Sequence, residues 1–152
     1  MGWAMAVLRR APFGAMFLVM TALAGCSGQI SNANTGNPAD RGVVYPITSA
    51  EADQAIAQSM QEVFPSTPIT PVALPHKGYM ATISFLADSH RVTAVAVPAA
   101  GRVGGGTLVD GYSFDVSSYG SMPLTASSRA QQLFAAINRR AAATKAPVPA
   151  AQ

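Results

Sequence analysis

An apolar segment near the amino terminus, closed by the only cysteine in the chain, most constrains how these 152 residues can fold. Two arginines precede residues 13–23, which are biased to apolar types, and two small residues then lead to Cys26. As a helix, residues 13–23 would span about 16 Å, roughly half of the ~30 Å hydrocarbon core of a bilayer. A basic region, a short apolar region and a small-residue end are the parts of a secretory signal peptide. We therefore expect residues 1–25 to be removed from the mature protein.

The end of this segment, Leu23-Ala24-Gly25-Cys26, resembles the lipobox of bacterial lipoproteins. The resemblance covers residues 1–27 only. It implies that the sulfur of Cys26 receives a diacylglyceryl group and that cleavage before Cys26 frees its amine. In many Gram-negative bacteria that amine then takes a further acyl chain, such as palmitate. Two or more chains anchor a protein stably, at about 0.8 kcal/mol per buried CH₂.

The residues around the cysteine predict the route and the destination. In the sorting rule familiar from enteric bacteria, Asp after the lipidated cysteine retains a lipoprotein in the inner membrane, so Ser27 predicts the outer membrane, facing the periplasm. The arginine pair at 9–10 is also found in twin-arginine signals, but Ala11-Pro12-Phe13 is not the expected continuation. We therefore expect export by the Sec route. The alternatives are an ordinary signal peptide with an incidental Cys26 and a buried amino-terminal helix.

Removal of the signal changes the charge of the chain. The formal net charge of +3 includes the arginines at 9 and 10, so the mature chain carries +1. A near-neutral domain lacks the basic footprint of a nucleic-acid-binding protein. With Cys26 consumed by lipid and only two histidines present, we expect no disulfide, no zinc site of the Cys/His type and no cofactor. About 100 residues can still form one modest core unaided.

The mature chain begins with a polar stretch and then a helix. Residues 26–42, rich in Asn, Ser, Gly and Pro, predict a flexible tether that leads to a single domain over 43–142. Thr48 and Glu51 form a capping box and predict a helix over 49–64. Its apolar face consists of Ile56, Met60, Val63 and Phe64. The next four prolines permit only an extended edge segment at 69–74.

From residue 79 the apolar pattern has a period of two, which is typical of strands. We predict strands over 79–86, 92–97 and 107–119, joined by a turn at 87–90 and a glycine-rich connection at 98–106. Thr125 is the expected N-cap of a second helix. The apolar face of this helix consists of Ala130, Leu133, Phe134, Ile137 and Ala141.

This order predicts an α+β domain made of a helix, a three-stranded antiparallel meander and a helix, with both helices on one face of the sheet. The other face is expected to meet water, since it carries Thr82, Ser84, Ser113, Asp115 and Ser117. Residues 143–152, rich in Pro and Ala, predict a disordered tail.

The candidate catalytic residues all have a simpler interpretation. Asp88, Ser89 and His90 are adjacent, but neighbours in a strand or turn point in different directions, so we predict turn residues instead of a triad. His76 is expected to be an exposed loop histidine. Glu51 and Asp53 are explained by the start of the helix, where the helix dipole favours acids.

Two further features are candidate binding or catalytic elements. The loop Gly101–Gly106 leads into a strand and lacks the lysine of a phosphate-binding loop, so we expect a hairpin loop. The alternative is a mobile recognition loop with Arg102 at its tip. Asp110 and Asp115 would lie on opposite faces of an unbroken strand, and only a bulge near Gly111 could pair them for glycoside hydrolysis.

The sequence therefore favours a small, non-enzymatic lipoprotein, joined to the membrane through Cys26 and binding another envelope protein. It would serve as an accessory subunit of an outer-membrane or secretion assembly. The alternative is a periplasmic domain that binds or acts on cell wall or small molecules. That alternative needs a cleft with convergent polar groups near His76, Asp88, His90 or Arg102.

Overall fold

The computed structural model of the chain describes residues 31–32, 42–73, 75–85, 88–120 and 123–151. Residues 1–30, with the signal segment and Cys26, lie outside this range. In chain order the elements are β1 Ser31–Asn32, β2 Val43–Val44, α1 Ser49–Val63, β3 Ile69–Val72, β4 Gly78–Phe85, β5 Asp88–Arg102, β6 Leu108–Gly120, α2 Pro123–Thr144 and β7 Val148–Pro149. The prediction of an α+β fold with two helices and antiparallel strands is confirmed.

The strand count differs from the prediction. Strands β3 to β6 form a four-stranded antiparallel meander, β1 extends this sheet to five strands in the order β1-β6-β5-β4-β3, and β2 and β7 form a separate two-stranded sheet. The predicted three-stranded meander is therefore wrong. Strand β3 is short and contains Pro71, so it shows no clear alternation, and it lies at the sheet edge, where proline is tolerated.

The longest pairing in the molecule joins β5 to β6. Its register is unbroken from His90 opposite Gly120 to Arg102 opposite Leu108. The predicted turn at 87–90 and connection at 98–106 are both too long, because β5 begins at Asp88 and continues through Pro98. The nitrogen of Ala96 points toward β4 and donates to the carbonyl of Lys77. The nitrogen of Pro98 points to the same side but lies beyond the start of β4, so the hydrogen that proline lacks is not needed there for strand pairing.

Alternate residues of β4, β5 and β6 build the core. One face of the sheet is buried, at Ala81, Val92, Ala94, Ala96, Phe114 and Val116. These side chains form a single cluster with the buried residues of α1 and α2, so both helices lie on this face. We call the opposite face the open face. There Thr82 and Ser84 are exposed, whereas Ser113, Asp115 and Ser117 are half-buried.

Helix α1 begins as the sequence predicts. The hydroxyl of Thr48 accepts from the nitrogen of Glu51 at 3.3 Å, and Oε2 of Glu51 accepts from the nitrogen of Thr48 at 2.7 Å. The nitrogen of Thr48, and then its hydroxyl at 2.8 Å, donate to the carboxylate of Glu51 and lower its pKa, because both bonds favour the charged form. At the other end, Nη1 of Arg129 donates to the carbonyl of Val63 at 3.1 Å and satisfies a terminal carbonyl of the helix.

Helix α2 begins at Pro123, so Thr125 lies inside it and the predicted N-cap is wrong. Proline suits the first helical position, because its fixed φ is already helical and its missing N–H is not needed there. The predicted apolar face is buried as expected. On the surface, Arg139 and Arg140 each reach Glu62 of α1 at 2.7 Å.

Segments 43–45 and 148–150 come together beside the β5–β6 pair. The nitrogens of Tyr45 and Tyr112 each donate to the other residue's carbonyl, at 2.8 and 2.9 Å. Strand β7 pairs with β2 and contacts β5, although composition predicts disorder for residues 143–152. Strand β1 lies in the predicted tether and pairs with β6.

Gly111 is required for this closure and marks no bulge, since the register runs straight through it. A Cβ at this position would collide with the carbonyl of Tyr45. We predict that Gly111→Ala lowers the free energy of unfolding, measured by urea denaturation, by about 1–3 kcal/mol because the Tyr45 strand must shift. The matched control is Gly104→Ala, where no atom lies within 4 Å. Equal stability of the two variants would contradict this role.

Candidate functional site

The residues that the sequence singled out do not converge on one site. Cys26 lies outside the described residues. Asp88, Ser89 and His90 all belong to β5, where successive side chains alternate between faces. Ser89 is exposed and His90 is buried, so the strand separates the hydroxyl from the imidazole. The unbroken register likewise puts Asp110 and Asp115 on opposite faces of β6.

His90 is the most unusual of these residues. Its side chain is only 3% exposed, and among the described residues neither ring nitrogen has a hydrogen-bond partner. Burial lowers the pKa of His90 below its ordinary value of 6.5, because the charged form loses its water. Gly120 lies directly opposite, where a Cβ would collide with the histidine.

The glycine-rich loop is a hairpin tip. Gly101 is buried in β5, close to Val148, while Gly104–Gly106 form a kinked turn in which Gly105 and Gly106 have positive φ angles of 81° and 86°. The nitrogen of Val103 donates to the carbonyl of Thr107 at 3.0 Å and closes the turn. We call Arg102–Leu108 the hairpin tip. The loop leads into β6, in agreement with the predicted hairpin loop, and Arg102 is exposed at its start.

A cleft of about 240 Å³ lies beside the first turn of α1. It forms where β5 extends past the first residue of β4 while it stays paired with β6. The connection from β3 to β4 makes one wall of the cleft. His76 and Lys77 come from that connection, Ser49 and Asp53 from α1, and Tyr112 from β6. His76 is half-buried, so it is less exposed than the sequence predicts.

Asp53 is held in place in this cleft. Its Oδ2 accepts from the hydroxyl of Tyr79 at 3.2 Å. Burial and the negative charge of Asp53 raise the pKa of Tyr79, so the phenol stays a hydrogen-bond donor. The carboxylate is therefore fixed by a core side chain, in addition to its favourable position near the helix start.

A second, wider groove of about 490 Å³ adjoins the cleft and shares Ser49, Pro98 and Tyr112 with it. Thr48 and Asp110 add polar groups to its wall. Together the two hollows present an imidazole, an ammonium group, two carboxylates and several hydroxyls. This lining suits a small polar ligand that carries charges of both signs. The sequence named His76, Asp53 and Asp110 separately but did not group them with each other or with Lys77 and Tyr112. Asp53 looked like a helix-start residue and Tyr112 like a core residue.

Other kinds of site are not seen in the part of the chain that the structure describes. Within it, no three His, Cys, Asp or Glu side chains are grouped so that they could hold a metal ion. Neither of its two helices has the length and apolar character needed to cross a membrane.

Comparison with known proteins gives no relative from which a function could be transferred. No known protein family, no curated protein sequence and no solved structure matches this chain significantly.

The buried histidine predicts a pH dependence of stability. Below about pH 6.5 the imidazole of His90 binds a proton in the unfolded chain, but its lowered pKa keeps it neutral in the native state. The free energy of unfolding should therefore fall as the pH drops from about 7 toward 5. We expect His90→Leu to flatten this slope in urea titrations at several pH values. His76→Gln is the matched control and should keep the slope, since His90 remains. A wild-type slope in His90→Leu would contradict the assignment.

Proposed function

We propose that this chain is a lipid-anchored lipoprotein of a bacterial cell envelope, joined through Cys26 to the outer membrane and facing the periplasm. There it serves as a non-enzymatic binding or accessory subunit of an envelope assembly. The observation that carries the proposal is the tetrapeptide Leu23-Ala24-Gly25-Cys26, which closes a short apolar segment and holds the only cysteine in the chain.

The hairpin tip supports a binding role. Val103 is 36% exposed and Leu108 is 60% exposed, and Arg102 is exposed beside them. Apolar side chains held in solvent by a rigid ribbon, next to an arginine, are typical of contact points for another protein. The lack of a nucleophile paired with a base at the positions weighed above favours binding over catalysis.

The anchor is tested by Cys26→Ala. We expect the wild-type chain to incorporate labelled palmitate, to fractionate with outer membranes and to leave them, under gentle detergent extraction, in a complex larger than the mature, lipidated chain alone. Cys26→Ala should lose the label and the membrane association, because no acyl chain remains.

Ser27→Ala is the matched control for this experiment, since it changes the neighbouring residue without touching the sulfur. It should keep the label and the membrane association. The proposal is wrong if Cys26→Ala stays membrane-bound while the wild type takes up no label. A wild-type chain that is extracted only as a monomer would argue against the accessory role.

The cleft beside α1 favours a second candidate function, a periplasmic domain that binds a small ligand. A cell-wall fragment with both amino and carboxylate groups would match the mixed charges of Asp53, His76 and Lys77. This function is compatible with the same lipid anchor.

The second candidate is tested by thermal unfolding in the presence of soluble peptidoglycan fragments. A ligand at about 100 times its dissociation constant stabilises a native protein by about 2.7 kcal/mol, so the midpoint should rise by several degrees. The double variant His76→Gln, Lys77→Gln should lose this rise, whereas Arg102→Gln at the hairpin tip should keep it. An unchanged wild-type midpoint would reject this candidate.

A further inference from the structure

The position of β1 fixes where the proposed anchor reaches the folded domain. Ser31 pairs with Ser118 and Asn32 with Ser117, so the chain enters the sheet at the carboxyl-terminal end of β6. Ser31 is five positions after Cys26, and five residues of extended chain span at most about 18 Å. A lipid on Cys26 would therefore hold this end of the sheet near the bilayer surface, whatever path the intervening residues take.

The side chains at this end suit a layer of lipid headgroups. Tyr119 follows the residue that pairs with Ser31, and it is 44% exposed. Arg91 lies directly opposite Tyr119 on β5, on the open face, and is also exposed. Tyrosine concentrates at membrane interfaces because its ring is apolar and its hydroxyl is polar, and an arginine fork binds phosphate oxygens in pairs.

The distribution of exposed apolar side chains along β6 distinguishes its two ends. Among the described residues the large exposed ones are Val103, Leu108 and Tyr119. Two of these belong to the hairpin tip, and Leu108 is about 34 Å along the strand from Ser118. Of these three, Tyr119 is the one that lies at the end next to β1.

The charges agree with this orientation. Along β6, Asp115 is the acid that shares the open face with Tyr119, and it lies about 14 Å further along the strand. That distance exceeds the Debye length of about 8 Å at physiological salt, so Asp115 repels headgroup phosphates at Tyr119 only weakly.

We propose that Tyr119 and Arg91 form a headgroup-contact site, which lays the carboxyl-terminal end of β6 on the phospholipid surface and points the hairpin tip away from it. The proposal deepens the proposed function and rests on its lipid anchor at Cys26. It places the apolar residues of the tip about 34 Å above the membrane-contacting end of the strand. A protein partner in the periplasm would meet them there.

Tryptophan fluorescence tests this orientation, because the mature chain contains no tryptophan once Trp3 leaves with the signal. Tyr119→Trp and the matched control Leu108→Trp each give the lipidated protein a single probe on an exposed position of β6. The proteins are reconstituted in vesicles of phosphatidylethanolamine and phosphatidylglycerol brominated near the glycerol end of their acyl chains. We expect emission at position 119 to shift to the blue and to be quenched, and emission at position 108 to change in neither way.

The arginine is tested in the Tyr119→Trp background. Arg91→Gln should reduce the quenching, whereas Arg102→Gln, at the exposed far end of β5, should leave it unchanged. Equal emission from positions 119 and 108, in protein that floats with the vesicles, overturns the headgroup contact and leaves the anchor intact. A wild-type chain that does not float with the vesicles overturns the anchor, and the contact with it.

Discussion

The pairing of β5 with β6 is the interaction on which the rest of the structure depends. It runs without a bulge from His90 opposite Gly120 to Arg102 opposite Leu108, and every other layer is attached to it. Strand β4 pairs with the free edge of β5, and Tyr45 and β1 pair with the free edge of β6. Both helices cover one face of the pair. A ribbon of this length gives the domain two distinct ends about 40 Å apart.

Each proposed role belongs to a different part of this ribbon. The end near Gly120 holds the buried His90 and strand β1, which begins five positions after Cys26. The hairpin tip presents Val103 and Leu108 to solvent. Between them, the stretch of β5 that outruns β4 forms the floor of the polar cleft beside α1. Attachment, partner contact and ligand contact can therefore coexist in one small domain, because one rigid pair of strands separates them in space.

The sequence predicted the local features and missed those that depend on distant contacts. The capping box at Thr48 and the apolar faces of both helices were predictable, because their signals lie within one or two turns. An extended edge segment was predicted at 69–74, but its pairing with β4 and the extension of β5 past Pro98 were missed. Proline opposes strand pairing unless its nitrogen faces an open edge, and only the sheet order reveals that edge.

The same limit applies to the candidate site. His76 could be named from its residue type, but Asp53 and Tyr112 join it only through the fold. Pairing of the short strands β2 and β7 likewise depends on residues about 100 positions apart.

The identity of the first mature residue tests the central claim most directly. The intact mass and the amino-terminal peptide of the protein extracted from membranes report it without any substitution. The account predicts a chain that begins at Cys26 and carries a diacylglyceryl group, with a further acyl chain on the amine where the host adds one. A membrane-extracted chain that retains residues 1–25, or that carries an unmodified Cys26, would contradict it.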